Sequence, residues 1–193
     1  HRASPRHILR RRWRDAGHAE LMLAVNLSLA QFRQPDLPHL VQKALARADV
    51  PAQALELELT ESIAMQEPEK AIAIVQQLAA AGVHLSIDDF GTGYSSFSYL
   101  QRLQVHSLKI DYSFVSQIEA PRGLALVRAI IDVAEGLGLQ TIAEGVETPA
   151  QLAALRTLGC DMAQGYLLAR PLPQAEFEAL LARQASGQVL IDL

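Results

Sequence analysis

The stretch that decides the fold and the chemistry of this chain runs Ser86-Ile87-Asp88-Asp89-Phe90-Gly91-Thr92-Gly93-Tyr94-Ser95-Ser96. Two adjacent carboxylates, Asp88 and Asp89, end an apolar stretch and are followed at once by a glycine-rich turn. Neighbouring side chains on a strand point to opposite faces, so both carboxylates reach one ion only where the strand breaks up. The pattern fits a metal site at a strand end of a parallel β/α scaffold, and it also fits a solvated turn.

Short apolar stretches alternate with amphipathic helical patterns from residue 21 onward. Such stretches are typical of buried parallel strands, and we predict strands at Leu21–Leu27, Leu55–Leu59, Val83–Ile87, His106–Ile110, Leu139–Ala143 and Cys160–Ala163. We expect helices to end at Gly82, Gly138 and Gly159, because glycine readily adopts the left-handed cap conformation. We expect other helices to begin at Pro68, Pro149 and Pro173. The alternation predicts an α/β fold with a parallel sheet.

A polar or ionisable residue lies at or near the end of every predicted strand. These residues are Asn26, Glu58, Asp88 with Asp89, Lys109, Glu144 and Gln164. In a TIM-like (β/α) barrel the strand ends converge on one mouth, where several strands contribute catalytic groups. We therefore expect a barrel-mouth site in a TIM-like (β/α) barrel, of whose eight strands about six are predicted here.

Carboxylates with an amide oxygen, and no cluster of Cys and His, favour hard cations such as Mg²⁺ or Mn²⁺ over Zn²⁺. Shared carboxylates permit a site for two ions, which suits in-line displacement at phosphorus. Lys109 follows an apolar stretch, so we favour an inward side chain that orients water or neutralises phosphoryl charge over a surface side chain.

Composition excludes several classes of function. The net charge is −4 at pH 7, although the first fourteen residues contain six arginines and no acid. The remaining acidic body predicts no binding to DNA, and no stretch is apolar enough for a membrane segment. Cys160 is the single cysteine, which rules out an internal disulfide and fits a cytoplasmic location. No dinucleotide fingerprint, phosphate-binding P-loop or serine-hydrolase elbow occurs.

Several motifs together resemble the EAL-domain family of bacterial cyclic di-GMP phosphodiesterases. The resemblance covers roughly residues 13 to 183. It is carried, in the family's order, by Val25-Asn26-Leu27-Ser28 with Gln31-Phe32, Leu57-Glu58-Leu59-Thr60-Glu61-Ser62, the Asp88–Ser96 stretch, Lys109-Ile110-Asp111, Ala143-Glu144-Gly145-Val146-Glu147-Thr148, and Gln164-Gly165-Tyr166 leading to Arg170-Pro171-Leu172.

The resemblance implies a metal-dependent hydrolase that opens cyclic di-GMP to linear pGpG with two ions. It implies metal ligands at Asn26, Glu58, Asp88, Asp89 and Glu144, of which Asp89 and Glu144 also count as catalytic. Lys109 would assist the attacking water, while Gln164, Glu147, Arg170 and Pro171 would form the substrate or supporting shell. Glu61 would brace the loop that begins at Asp88, which in this family couples metal binding to dimer contacts. A homodimer and fusion to upstream sensory or cyclase domains are further expectations.

One departure from the family bears on activity. The family's Glu-x-Leu-x-Arg strand, whose Glu binds metal and whose Arg contacts substrate phosphate, does not precede Asn26 here. Glu178-Ala179-Leu180 follows Pro173 in a helical pattern, and we interpret it as a chance match. We expect residues 1–193 to form a single partial EAL-type domain, a TIM-like barrel that is incomplete at its N-terminus and has impaired activity. Residues 1–12 would be a poorly matching basic arm.

Two alternatives to this enzyme remain open at the level of sequence. One is a non-catalytic module of the same family that binds cyclic di-GMP or a protein partner in bacterial signalling. The other is a different metal-dependent barrel enzyme that acts on phosphate esters, because fold analogy alone does not fix a substrate.

Overall fold

The computed structural model describes residues 13, 17–18, 21–93 and 97–185. The predicted basic arm at residues 1–12 and the last three residues of the 86–96 stretch lie outside the described residues. The chain divides into two compact units. The first takes in the described residues of His1–Lys109 with Leu137–Leu139, and the second takes in those of Ile110–Gly136 and Gln140–Leu193.

The first unit is a parallel β/α arrangement. Its strands β1, β2, β3 and β4 lie side by side in chain order. They span Leu23–Asn26, Leu55–Thr60, His84–Phe90 and Ser107–Ile110, the last residue of β4 belonging to the second unit. Its helices are α1 (Leu29–Phe32), α2 (Leu37–Ala48), α3 (Glu61–Gln66), α4 (Pro68–Ala80) and α5 (Phe97–Leu100), with a 3₁₀ turn at Ala52–Ala54.

The second unit repeats the same pattern. Strands β5 (Gln140–Ala143) and β6 (Met162–Ala163) pair in parallel. The helices are α6 (Tyr112–Val115), α7 (Pro121–Gly136), α8 (Pro149–Leu158) and α9 (Gln174–Ala185). None of the helices in the described part of either unit is long and apolar enough to cross a membrane.

All six predicted strands are confirmed, with shifts at their ends. The largest shift concerns β3, which continues to Phe90 because Thr60 at the end of β2 still pairs with Asp88. Strand β6 is shorter than predicted and contains only Met162 and Ala163. The acidic pair therefore lies inside β3, near its end, rather than after it.

Strand register separates a polar face from an apolar face in the first unit. Paired residues on parallel strands share a face, so the register places Asn26, Glu58 and Ser86 in one row. The alternate residues of the strands, such as Leu57 and Leu85, point the other way and are buried. Helix α4 adds a buried apolar stripe to this unit, formed by Ala71, Ile72, Ile74, Val75 and Leu78. The polar row is thus a consequence of the alternation in sequence.

Helix ends follow the predicted chemistry closely. Gly159 caps α8 in the left-handed conformation at φ +81°, and Gly82 after α4 has φ +85°. Pro68 and Pro149 are the first residues of their helices, where a missing N–H costs no hydrogen bond. Pro173 lies one residue before α9. These residues set where each helix begins or ends relative to the neighbouring strand.

Candidate functional site

Lys109 on β4 lies between two carboxylates of neighbouring strands. Its Nζ is 2.9 Å from Glu58 Oε1 and 3.2 Å from Asp88 Oδ1. The Lys109 side chain is only 6% exposed, and those of Glu58 and Asp88 are 10% and 14% exposed. Charges so poorly hydrated persist only when they are paired, so this trio is a preformed electrostatic unit. The inward position predicted for Lys109 is observed.

The adjacent acids Asp88 and Asp89 are brought together by an unusual backbone conformation. Asp89 has φ +54°, a left-handed value that few residues other than glycine adopt. Its N–H donates to Asp88 Oδ1 at 3.1 Å, and the two side chains offer carboxylate oxygens within 4.8 Å of each other. Neighbours on a regular strand would point apart, so the left-handed residue makes this approach possible.

The oxygen donors on the polar face of the first unit suit a hard divalent cation. Asn26, the last residue of β1, is paired in register with Glu58, so both side chains lie on the same face of the sheet. That face also carries the carboxylate of Asp88. Carboxylate and amide oxygens without thiols are the ligands that Mg²⁺ and Mn²⁺ prefer. We call Asn26, Glu58, Asp88, Asp89 and Lys109 the carboxylate–lysine cluster.

Glu61 holds the glycine-rich turn that follows the acidic pair. It is the first residue of α3 and is 3% exposed, and its Oε2 accepts hydrogen bonds from Gly91 N (3.0 Å) and Gly93 N (3.2 Å). A Cβ at position 93 would lie 2.9 Å from Glu61 Oε1, so a larger residue there would displace the Glu61 carboxylate. These two bonds attach backbone amides of the turn to the side chain of the first residue of α3.

The second unit carries a pair of polar side chains at the ends of its strands. Glu144 and Gln164 directly follow β5 and β6, and Gln164 Nε2 donates to Glu144 Oε1 at 2.7 Å. The backbone supports this pair, because Glu144 N donates to Ile110 O and Val146 N donates to Gln164 O. A side chain at Gly165 would collide with the backbone of Val146, which explains the glycine.

Glu144, Gln164 and Gly165 border a cavity of about 650 Å³ within the second unit, which we call the second-unit cavity. The Arg170 guanidinium lies 4.5 Å from the centroid of the Tyr166 ring, a cation–π contact on the cavity wall. The lining residues are Tyr112, Glu144, Gly145, Glu147, Gln164, Gly165, Tyr166, Ala169, Arg170, Pro171, Leu172, Phe177 and Leu180. Its mixture of aromatic, cationic and acidic groups suits a ligand with planar and charged parts.

Every site residue predicted from the sequence falls in one of these two groups. The first unit holds Asn26, Glu58, Glu61, Asp88, Asp89 and Lys109, and the second-unit cavity is lined by Glu144, Glu147, Gln164, Arg170 and Pro171. Sequence reasoning missed Tyr112, Tyr166, Phe177 and Leu180 as lining residues. Tyr166 had a detectable signal, since it follows Gln164-Gly165 directly. Leu180 belongs to the Glu178-Ala179-Leu180 segment, whose predicted helical state is confirmed.

Successive parallel strands with acidic, amide and lysine groups at their ends define an α/β protein of the (β/α)-barrel class. Within that class the chain belongs to the EAL domain family, whose profile matches residues 5–171. The resemblance predicted from the motifs is therefore confirmed.

Curated relatives from Pseudomonas aeruginosa carry names that agree with this family. One, named bifunctional diguanylate cyclase/cyclic di-GMP phosphodiesterase MucR, is 46% identical over 173 residues, which cover 89% of this chain and 25% of the relative. Another, named cyclic di-GMP phosphodiesterase NbdA, is 46% identical over 181 residues, which cover 90% of this chain and 23% of the relative. The chain thus spans about a quarter of the length of these relatives.

Solved structures confirm the fold class. A structure described as PaMucR phosphodiesterase in complex with c-di-GMP matches with a TM-score of 0.85 and 45% identity, over 89% of this chain and 70% of that one. The EAL domain of Mycobacterium smegmatis DcpA matches with a TM-score of 0.86 and 38% identity, over 95% of this chain and 82% of that one. The chain therefore has the TIM-barrel-like fold of EAL domains, represented by six strands in its described residues.

Proposed function

We propose that this chain is a phosphodiesterase domain that hydrolyses one phosphodiester bond of cyclic di-GMP and yields linear pGpG. The observation that carries the proposal is the buried Lys109 between Glu58 and Asp88, on the polar face that also presents Asn26. Membership of the EAL domain family and the c-di-GMP complex of a relative support the choice of substrate.

Two divalent cations, Mg²⁺ or Mn²⁺, are part of this proposal. Asn26, Glu58, Asp88, Asp89 and Glu144 would hold them, because these residues offer the oxygen donors that such ions prefer. When bound, such ions lower the pKa of water and neutralise charge on a phosphoryl group. The assignment of Asp89 and Glu144 as catalytic residues belongs to the same proposal.

The chain's own residues have distinct tasks in the proposed reaction. Opening the ring to pGpG joins a water oxygen to phosphorus and breaks the bond to the 3′ oxygen, which takes up a proton. The ammonium group of Lys109 can donate hydrogen bonds but cannot accept them, so it would orient the attacking oxygen and offset charge that develops on the phosphoryl oxygens. Burial strengthens that effect, because the interaction is poorly screened by water.

The second-unit cavity supports a dinucleotide substrate. Tyr166 and Tyr112 offer rings for a planar base, and Arg170 offers a cation for phosphate. Gln164 and Glu147 offer polar groups for the edges of a base, and Pro171 adds an apolar wall. We assign these residues to substrate binding, as a part of the proposed function.

A hydrolysis assay tests the proposal. We expect Mn²⁺-dependent conversion of cyclic di-GMP to pGpG, and we expect Asp88→Asn to reduce the rate by about 10² to 10³, the scale of one lost electrostatic group. Asp132→Asn, an exposed acid on α7, is the matched control and should leave the rate unchanged. Normal hydrolysis by Asp88→Asn would exclude the carboxylate–lysine cluster as the reaction site.

A second candidate function is a non-catalytic module that binds cyclic di-GMP or a protein partner. The observation that favours it is the second-unit cavity, because its aromatic and cationic lining can bind a planar, charged ligand without any catalytic step. A longer polypeptide that adds a Glu-x-Leu-x-Arg strand before Asn26 distinguishes the two functions. We expect it to cleave cyclic di-GMP faster than this chain does, and a longer polypeptide that binds the dinucleotide without cleaving it would support the module.

We propose a place in a multidomain signalling protein, as the lengths of the relatives suggest, together with a homodimer and a cytoplasmic location. Partial burial raises the pKa of the Cys160 thiol and disfavours the reactive thiolate, so we assign Cys160 no catalytic role.

A further inference from the structure

The short helix α3 is attached at its N-terminal end to the turn that follows the acidic pair. Thr60 caps the helix by accepting a hydrogen bond from Ile63 N, and Glu61 contacts the two glycine amides described above. Because Glu61 is the first residue of α3, any tilt of this six-residue helix moves its carboxylate relative to Gly91 and Gly93. The position of α3 therefore controls the turn beside Asp88 and Asp89.

The other end of α3 has a carbonyl group that the helix itself cannot satisfy. In a continuing helix the Ala64 carbonyl would accept from the N–H of residue 68, but that residue is Pro68 and has no N–H. The chain also leaves helical geometry at Glu67, where φ is −133° and ψ is 75°. Ala64 is 3% exposed, so a hydrogen-bond donor must come from elsewhere in the protein.

Tyr99 supplies that donor. Its hydroxyl group donates to Ala64 O at 2.6 Å, and Tyr99 is 6% exposed. Burial raises the pKa of Tyr99 to about 12, so the hydroxyl group keeps its proton throughout the physiological range. Tyr99 lies on α5, the helix that follows the glycine-rich turn in sequence. The turn and the next helix are thus both fastened to α3.

The backbone around Tyr99 makes it a firm anchor. Arg102 N and Leu103 N donate to Tyr99 O, and Arg102 makes two hydrogen bonds to Glu69 on α4, at 2.9 and 2.8 Å. The Arg102–Glu69 pair is largely exposed and contributes little to stability for that reason. The buried hydroxyl bond is the contact in this segment whose loss would leave a buried polar group unsatisfied.

We propose that Tyr99 is a positioning residue for the carboxylates of Asp88 and Asp89. Its bond to Ala64 holds α3 in place, Glu61 on α3 then holds Gly91 and Gly93, and the turn holds the acidic pair in the geometry needed for a divalent cation. This inference rests on the proposed function, because it assumes that these carboxylates bind metal.

Tyr99→Phe tests the inference, since it removes the hydroxyl group and retains the ring. We expect the Kd for Mn²⁺, measured by calorimetry without substrate, to rise about tenfold, as for residues that support metal ligands indirectly. In metal-free protein, hydrogen exchange should become faster at the amides of Gly91 and Gly93, which lose their firm acceptor. Arg102→Gln is the matched control and should change neither quantity.

The outcomes separate this inference from the proposed function. Wild-type protein that binds Mn²⁺ while Tyr99→Phe binds it equally well would overturn the positioning role and leave the proposed function standing. A loss of unfolding free energy in Tyr99→Phe without a change in Mn²⁺ affinity or glycine exchange would show a structural role alone and overturn the inference. Wild-type protein that binds no Mn²⁺ would overturn both.

Discussion

At the scale of single residues, the decisive feature is a buried lysine that pairs with two largely buried acids. Lys109 brings one positive charge to the carboxylates of Glu58 and Asp88 at hydrogen-bonding distance. Two carboxylates this close and this poorly hydrated repel each other unless a cation lies nearby. The lysine therefore offsets the repulsion between the carboxylates in the folded protein, and a divalent cation would offset it further.

Replacing Lys109 with methionine tests this account of the cluster. We expect Lys109→Met to lower the free energy of unfolding by about 3–5 kcal/mol in metal-free buffer, because it leaves buried acids without their partner. Added Mn²⁺ should recover more stability in this variant than in wild-type protein. Urea unfolding with EDTA and with Mn²⁺ measures both effects.

Lys43 on the exposed surface of α2 provides the comparison for this experiment. Lys43→Met should leave the free energy of unfolding, with EDTA and with Mn²⁺, within about 0.5 kcal/mol of wild-type values, as is usual at exposed positions. If Lys109→Met behaves in the same way, the lysine does not offset the charge of the acids.

At the scale of elements, strands β3 and β4 are joined through histidines as well as through their backbones. The rings of His84 and His106 have centroids 4.6 Å apart, and His106 Nδ1 accepts a hydrogen bond from Leu85 N at 3.2 Å. Partial burial and the neighbouring His84 lower the pKa of His106, while Glu56 acts in the opposite direction. An accepting Nδ1 also requires the neutral ring, since protonation would remove the acceptor.

The lowered pKa predicts a dependence of stability on pH. The unfolded chain takes up a proton at His106 near pH 6.5, before the folded protein does, so protons favour unfolding. The stabilising contribution is complete above about pH 6.5 and is lost as the pH falls towards the folded pKa. Because His106 is partly exposed, we expect a modest decline in the urea midpoint between pH 7 and pH 5.

His106→Asn separates this histidine from the other titrating groups. Asparagine keeps an acceptor for Leu85 N but does not titrate, so the decline below pH 6.5 should become shallower. A variant whose urea midpoint falls with pH as steeply as that of wild-type protein would show that other groups cause the decline.

At the scale of the whole molecule, the proposed reaction requires residues from both compact units. Asp88 belongs to the first unit and Glu144 to the second. If both serve one reaction, their substitutions should not act independently. We expect Asp88→Asn and Glu144→Gln each to weaken Mn²⁺ binding, and the double variant to bind more tightly than the product of the single effects predicts.

A control pair defines independent behaviour for this cycle. Asp88→Asn combined with Glu135→Gln, an exposed acid of α7, should equal the effect of Asp88→Asn alone. Calorimetric titration with Mn²⁺ measures each variant. Strict additivity of Asp88→Asn and Glu144→Gln would argue that the two residues bind metal separately, against the two-ion proposal.

The order of strands and helices, their caps and the residue types at the strand ends can all be predicted from the amino-acid sequence. These features are local, because alternation, helical spacing and the special geometries of glycine and proline operate within a few residues. For the same reason, the sequence pattern places Asp88, Lys109 and Glu144 at strand ends but does not predict which side chains they contact. Family motifs then gave these residues their expected roles.

Which of these side chains contact each other depends on the tertiary structure. The contacts of Lys109 with Glu58 and Asp88 depend on the register of separate strands, and the bond between Tyr99 and Ala64 depends on how α5 packs near α3. Register and packing are set by burial of the apolar face over many residues at once, so no local pattern encodes them. The left-handed Asp89 likewise exists because the surrounding structure enforces it.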